Sequence, residues 1–388
     1  MPRALRAAII APVIPSLASR SAAGCRRSTG TGPSASAPGD AAISRTSRQG
    51  TIPLRTEIDR ELEKAQATLL ARYAPDTRVR RVRWSQGETQ VLELGAGPPL
   101  LLVHGGGDGA FEWVPILSAL ARTRRVLAVD RPGHGLADPF DYGGVDLLDH
   151  GRTFLGDVLD ALELTRTDIA ANSIGGLWSA AFSSDMPDRV SRLVLVGAPP
   201  GVTREAPLPL RLMSLPLVGQ PLGRVMMGKP TREGNRKFWG QLLVAHPERL
   251  EDAFLDVDVA HSRRNRDSIL SLIRCAGGLV RARLILGDRW PTPSIPTLFL
   301  QGEHDAFISH RAEKTWKAIA AANPNVRVLR IPDAGHLPWL DQPERVVAEI
   351  ERFLATQPRS GQEEATPSAA QQSTSPTWKA SSSAYRKR

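Results

Sequence analysis

Four short stretches carry residues suited to nucleophilic chemistry. The first is Ala171-Asn172-Ser173-Ile174-Gly175-Gly176, a serine flanked by small residues between an apolar run and a helical pattern. Such a serine sits on a tight, strained turn that tolerates only small neighbours. The turn lifts the hydroxyl to a helix N-terminus, where free N–H groups favour developing negative charge. The second stretch is an apolar run over 100–103 that enters His104-Gly105-Gly106-Gly107. Glycines let backbone N–H groups approach an anionic oxygen. This loop can therefore supply one donor of an oxyanion hole, and the residue after the serine the other. Gly106 and Ile174 are the expected donors. His104 lies before the loop turns and reads as a buried structural histidine.

The third stretch is Leu298-Phe299-Leu300-Gln301-Gly302-Glu303-His304-Asp305. An acid just past a strand end can hydrogen-bond an imidazole and fix its tautomer. Asp305 fits that role better than Glu303, which lies nearer the strand and reads as structural. The fourth is Ile331-Pro332-Asp333-Ala334-Gly335-His336-Leu337-Pro338-Trp339. Of the eight histidines, only His336 follows a late apolar run in a loop downstream of the acid. Its near-neutral titration suits a general base. Asp333 is an alternative partner for it. The order Ser173, Asp305, His336, each at the end of an apolar run, predicts a catalytic triad.

These residues need a frame to hold them. Residues 54–74 read as an amphipathic helix, and 79–84 and 89–94 alternate with period two like an antiparallel strand pair. Short apolar runs follow at 100–103, 125–129, 168–171, 193–196, 297–300 and 326–331, separated by loops and helical patterns. Continuous apolar strands alternating with helices predict an α/β fold: a mostly parallel eight-stranded sheet with helices on both faces. Ligands bind such sheets at the carboxyl ends of the strands, where all four stretches lie. Between 199 and 296 no strand run occurs. Helical stretches appear there at 238–245, 249–259 and 268–275. Residues 203–288 therefore read as an inserted helical cap between two parts of the core, 51–202 and 289–357. Residues 1–50 and 358–388 are rich in Ser, Ala, Gly or Pro with little periodicity, and read as a disordered leader and tail.

Composition narrows the functional classes. The net charge of +10 is concentrated outside the core. Seven arginines against one acid fall in 1–48, and five basic residues against two acids in 358–388. No helix carries a basic stripe that would track phosphates, so nucleic acid is not expected as a partner. Two cysteines, Cys25 and Cys275, make no disulfide framework, and no Cys/His cluster has metal-ligand spacing. No cofactor or metal is expected, and a small molecule is the expected partner. The run 7–18 is too short to span a bilayer. Arg20 breaks it before Cys25, where export signals rarely place charge. A cytoplasmic location is expected, with export or lipid anchoring through the leader as the alternative. Oligomeric state is not legible.

Over about 78–355 the chain resembles the α/β-hydrolase superfamily. Its His104-Gly105-Gly106 loop is similar to that family's oxyanion loop. Asp130-Arg131-Pro132-Gly133-His134-Gly135 is similar to the family's next loop, whose histidine is usually structural. Asn172-Ser173-Ile174-Gly175-Gly176 resembles the elbow of carbon–carbon bond hydrolases acting on ring-fission products. Two features depart from that group: Ala171 replaces the usual first glycine, and the loop after Asp130 resembles generic esterases and perhydrolase-like relatives. A serine at 173 disfavours haloalkane dehalogenase and epoxide hydrolase activities, which use an aspartate there. The resemblance implies a serine hydrolase of a small apolar ester. Rival readings are a carbon–carbon bond hydrolase and a non-enzymatic binding protein of the same fold. Met213, Leu215, Met226, Met227, Phe238 and Trp239 are candidate substrate-lining residues of the cap, or ordinary packing. Arg263, Arg264 and Arg266 are candidates to bind a carboxylate, or a solvated helix face.

Overall fold

The sequence is organised around buried apolar strands, and the computed structural model describes residues 56–197, 208–215, 217–281, 294–308 and 310–356. The expected leader and tail, and the ends of the expected cap (203–207 and 282–288), lie outside the described residues. The chain begins with helix α1 (Glu57–Tyr73) and the hairpin β1 (Arg78–Trp84) and β2 (Gly87–Leu94). Next come β3 (Pro99–Val103), α2 (Val114–Leu120), β4 (Arg125–Val129), α3 (Leu147–Ala161), β5 (Thr167–Asn172), α4 (Ser173–Asp185) and β6 (Val190–Val196). Four helices follow: α5 (Leu208–Met213), α6 (Gly219–Met227), α7 (Arg232–Leu242) and α8 (Asp252–Arg281). The chain then returns as β7 (Thr297–Gly302), α9 (His310–Ala322), β8 (Val326–Ile331), α10 (Pro338–Asp341) and α11 (Pro343–Ala355).

The eight expected strand runs are eight strands in one sheet, ordered β1-β2-β4-β3-β5-β6-β7-β8. β1/β2 and β2/β4 are antiparallel and every other pair is parallel. Alternation sorts the core into two layers. Leu100, Leu102, Val126 and Ala128 face one apolar cluster, and Leu101, Val103, Leu127 and Val129 face the other. From β3 the chain crosses to β4 on one side, then returns to β5 on the other. The loops leaving β3 and β5 thus diverge at a topological switch point, the place where such sheets open a crevice.

Helix boundaries depart from the sequence reading where polar residues decide them. α1 starts at Glu57 because Thr56 accepts from Asp59 N–H while Asp59 accepts back from Thr56 N–H at 2.9 Å, a reciprocal cap. α7 starts at Arg232, earlier than expected, because Thr231 accepts from Gly234 N–H. The stretches expected at 249–259 and 268–275 belong to one 30-residue helix, α8. The charged run between them is where α8 meets the rest of the molecule. Arg263 pairs with Glu61 at 2.6 Å and Arg264 with Asp59 at 2.5 Å on α1. Asn265 Nδ2 donates to Gly135 O at 3.0 Å.

At the opposite edge of the sheet, a buried ion pair joins the start of β4 to β5. Arg124 Nη1 lies 2.7 Å from Asp168 Oδ2, and Arg192 stands 3.8 Å from the other carboxylate oxygen. Removing one partner of a buried pair strands the other charge. Arg124→Ala should therefore lower unfolding free energy by about 3 kcal/mol, read as a shift in the denaturant midpoint. Arg124→Met combined with Asp168→Leu should recover most of that loss. Equal destabilisation in the single and double variants would contradict the pairing argument.

Candidate active site

β5 ends at Asn172 in extended backbone, and Ser173 opens α4 in the left-handed region at φ 47°. A non-glycine residue held there stores strain of order 1 kcal/mol or more. Crowding explains the small neighbours. A Cβ on Gly175 would lie 2.7 Å from Val103 O and closer still to His104 O, so α4 packs directly on the backbone leaving β3. Ala171 sits in register between Val103 and Leu195 inside the sheet.

Asp305 follows β7 and His336 follows β8, and the two meet. His336 Nδ1 lies 2.9 Å from Asp305 Oδ2, with both side chains buried. The other carboxylate oxygen, Oδ1, accepts from Phe307 N–H at 2.8 Å. The Phe307 ring packs 4.3 Å from the imidazole. A carboxylate at Nδ1 assigns the proton to that nitrogen and leaves Nε2 as the base. Asp333, the alternative partner, points elsewhere: its Oδ2 lies 2.8 Å from His246 Nε2. Glu303 accepts from Asp333 N–H at 3.2 Å and serves the loop.

Asn172, the residue before Ser173, reaches the loop that carries His336. Its Nδ2 donates to Val196 O at 2.7 Å and to His336 O at 3.4 Å. Beside it Gly197, at φ 71°, leaves no room for a side chain, since a Cβ would lie 2.5 Å from His336 O and 3.0 Å from its Nδ1. Among the described residues no hydrogen bond joins Ser173 Oγ directly to the imidazole. Nucleophile and base often close that gap only when substrate binds.

The expected oxyanion donors are oriented by their neighbours. Gly105 O accepts from His104 Nδ1 at 2.9 Å and from Arg131 Nη2. The trans peptide therefore directs Gly106 N–H the opposite way. Gly106 O lies 3.1 Å from His134 Nε2. Ile174 is the second residue of α4, where N–H groups lack intrahelical acceptors. The Asn172 side chain makes no cap bond to α4, because it is spent on β6 and the His336 loop.

The arginines of the 203–288 segment do not fit a carboxylate site, and its apolar candidates divide between packing and exposure. Arg263 and Arg264 are committed to Glu61 and Asp59 on α1, and Arg266 donates to Gly228 O, so none is poised for a substrate carboxylate. Among the apolar candidates, Leu215, Met226 and Phe238 are exposed, and Met213 packs against Gly223 of α6. Trp239 is buried, donating to Asp258 Oδ2 at 2.8 Å. The structural role that the resemblance implied for His134 agrees with its place under Gly106 O, whereas the sequence reading missed Asn172 as a junction, Arg131 as a support, and a carboxyl pair, Asp108 and Glu112. An acid inside a glycine-rich loop, with a second acid four residues on, was the available signal.

Comparison with known proteins agrees with this architecture. The family described as the alpha/beta hydrolase family matches residues 100–349. A 2-hydroxy-6-oxo-2,4-heptadienoate hydrolase from Pseudomonas putida is 43% identical over 117 residues, 29% of this chain and 41% of that protein. The match thus spans about two-fifths of the relative's length. A 2-hydroxy-6-oxononadienedioate/2-hydroxy-6-oxononatrienedioate hydrolase from Cupriavidus pinatubonensis is 29% identical over 221 residues, 56% of this chain and 74% of that one. The solved carboxylesterase CesB from Bacillus subtilis superposes with a TM-score of 0.62 at 20% identity, covering 77% of this chain and 99% of its own.

The electrostatics beneath the β3 loop push its carboxyls toward their neutral forms. Burial, and then the charge of Asp258, push Asp108 up to about 7 against the opposing pull of His336. Burial and Asp108 likewise hold Glu112 well above the ordinary carboxylate range. Between its ordinary value of 3.8 and about 7, Asp108 is protonated in the folded chain and ionised in the unfolded one. Its stabilising contribution is therefore present at low pH and is lost as pH rises through about 7. Asp108→Asn cannot ionise, so its stability relative to wild type should increase from pH 5 to pH 8. Over that window the increase should be at most about 3 kcal/mol by linkage. Thermal melts of both proteins across that range would check this, and a pH-independent difference would refute it.

Proposed function

Because the chain belongs to the alpha/beta hydrolase family and is an enzyme, a hydrolase, we propose that it cleaves a carboxylic ester or related acyl bond of a small, apolar substrate through Ser173, His336 and Asp305. The observation that carries this reading is the buried Asp305–His336 pair, tied through Asn172 to a serine on a strained turn. In the proposed reaction His336 Nε2 takes the Ser173 proton as Oγ attacks the carbonyl carbon. The tetrahedral oxyanion forms against the N–H groups of Gly106 and Ile174, which need no reorganisation to meet it. Asp305 stabilises the imidazolium, which protonates the leaving group. Water activated by the same imidazole then releases the acid from the acyl-enzyme.

The helical segment 203–288 acts in this proposal as a cap that sets specificity, between core parts 51–202 and 289–357. A cytoplasmic site of action fits the charge at Arg20, which interrupts the leader. No described helix is long and apolar enough to cross a membrane.

A second reading keeps the same residues but cleaves a carbon–carbon bond. Two of the similar proteins are named as hydrolases of oxo-dienoates, and the Asn172-Ser173 elbow resembles theirs. In that chemistry the histidine also serves a keto–enol proton transfer before attack. Ester turnover without turnover of a chromogenic ring-fission dienone would decide for the first reading.

Ser173→Ala should reduce hydrolysis of an activated ester by several orders of magnitude and abolish labelling by a fluorophosphonate probe. Asp305→Asn should cost roughly ten-thousandfold in kcat by destabilising the required tautomer. Full activity in the Ser173 variant would reject the assignment.

A further inference from the structure

The outer edge of the helical insertion exposes an unusual amount of apolar surface. Leu208, Leu212 and Leu215 recur every three or four residues along α5 and just beyond it, and all are exposed. Val218, the N-cap of α6, precedes Val225 and Met226 by seven and eight residues, two helical turns, and all three are exposed. This periodicity places each set on one helix face. The opposite faces hold the helices together. Met213 is buried against Gly223, where an added Cβ would collide with Leu270 of α8. The turn between α5 and α6 carries Leu217, which is 95% exposed and held at φ 64°. A leucine in the left-handed region is strained, and this one buries nothing in return. Strain kept where a polar residue or glycine would relieve it points to a task for the side chain.

Charge identifies what covers this face. No Asp or Glu occurs between Glu205 and Glu233, whereas Arg211, Arg224 and Lys229 flank the apolar residues. Arg224 is paired with Asp267 at 2.8 Å. Among the described residues no acid pairs with Arg211 or Lys229. A second copy docked about a two-fold axis would bring this face onto itself, cation against cation, with no acid on it to answer them. Apolar side chains rimmed by unpaired cations suit a surface that is apolar within and negatively charged outside.

We propose that the α5–α6 edge docks on an anionic lipid surface, with Leu217, Val218 and Val225 entering the headgroup boundary and Arg211 and Lys229 meeting lipid phosphates. The contact is peripheral and electrostatically assisted. It needs neither a spanning helix nor any particular chemistry at Ser173.

The test is co-sedimentation of the full-length protein with phosphatidylglycerol-containing vesicles and with pure phosphatidylcholine vesicles, at low and high salt. Binding should favour the anionic vesicles and weaken with salt. Leu217→Asn with Val225→Gln should lower the affinity by about tenfold or more, without lowering the melting temperature, since asparagine accepts a positive φ. Arg211→Gln with Lys229→Gln should remove most of the salt dependence. Absence of binding to anionic vesicles would overturn the proposal. So would binding undiminished by the Leu217/Val225 variant, which would assign the contact to another part of the chain. A solution dimer dissociated by that same variant would assign the face to a second copy and overturn it equally.

Discussion

At the end of β5 an asparagine side chain can satisfy either the helix that follows it or the strand beside it, and the arrangement of the site depends on which. An asparagine before a helix ordinarily caps it, worth about 1 kcal/mol. Asn172 instead donates to Val196 O and reaches His336 O, leaving α4 uncapped. The helix therefore starts with unsatisfied N–H groups beside Ser173, and the loop bearing His336 is drawn to the same strand end. One side chain thus leaves donors free and anchors the base. The close approach of α4 to the backbone after β3, which only Gly175 permits, brings the glycine-rich loop within reach of both.

Beneath that loop lies a buried cation held without a carboxylate partner among the described residues. Arg131 donates to His104 O and Gly105 O and rests 4.9 Å from the Trp178 ring. Carbonyl oxygens and an aromatic face can hold a guanidinium out of water. His104 and His134, both buried, are kept neutral by burial and by the Arg131 charge. Neutral His104 can then donate from Nδ1 to Gly105 O while Nε2 accepts from Arg131 N–H, and neutral His134 has a single N–H to give to Gly106 O or Pro132 O. The nearest acids, Asp108 and Glu112, are also pushed toward their neutral forms. Positive charge under the peptide that presents Gly106 N–H is consequently not cancelled, which favours an anion forming above it.

Much of this was legible in the sequence because the determining forces are local. Six apolar runs and two alternating ones became eight strands, since burial on both faces leaves a continuous apolar signature and burial on one face an alternating one. Ser173, Asp305 and His336 could be proposed from sequence because each lies within a few residues of a strand end, and parallel strands gather their carboxyl ends on one side of the sheet. The illegible parts depend on partners distant in sequence. α8 read as two helices because Arg263, Arg264 and Asn265 look like a solvated break until α1 and the loop at Gly135 are brought against them. Asn172 and Arg131 were invisible as supports because their acceptors are main-chain carbonyls, which have no sequence identity. For Leu215, Met226 and Phe238 the choice between substrate lining and packing was illegible for a related reason. Apolar residues in an amphipathic helix reveal that one face is special, not which surface it meets.

α8 and the glycine-rich loop after β3 are physically joined, and this limits how the two can behave. Asn265 and Arg264 of α8 both donate to Gly135 O, and Ser268 accepts from Phe140 N–H. His134, one residue before Gly135, bonds the carbonyl of Gly106. A single residue of chain therefore separates the hydrogen bonds that seat α8 from the one that sets the Gly106 peptide. A rigid swing of α8 away from the sheet would break Arg264–Asp59, Arg263–Glu61 and the bonds at Gly135 together. α8 is thus a fixed beam of the core. α5 and α6, which rest on it through Met213, Gly223 and Leu270 and turn their apolar faces outward, are the elements whose surroundings can change without disturbing the loop beneath.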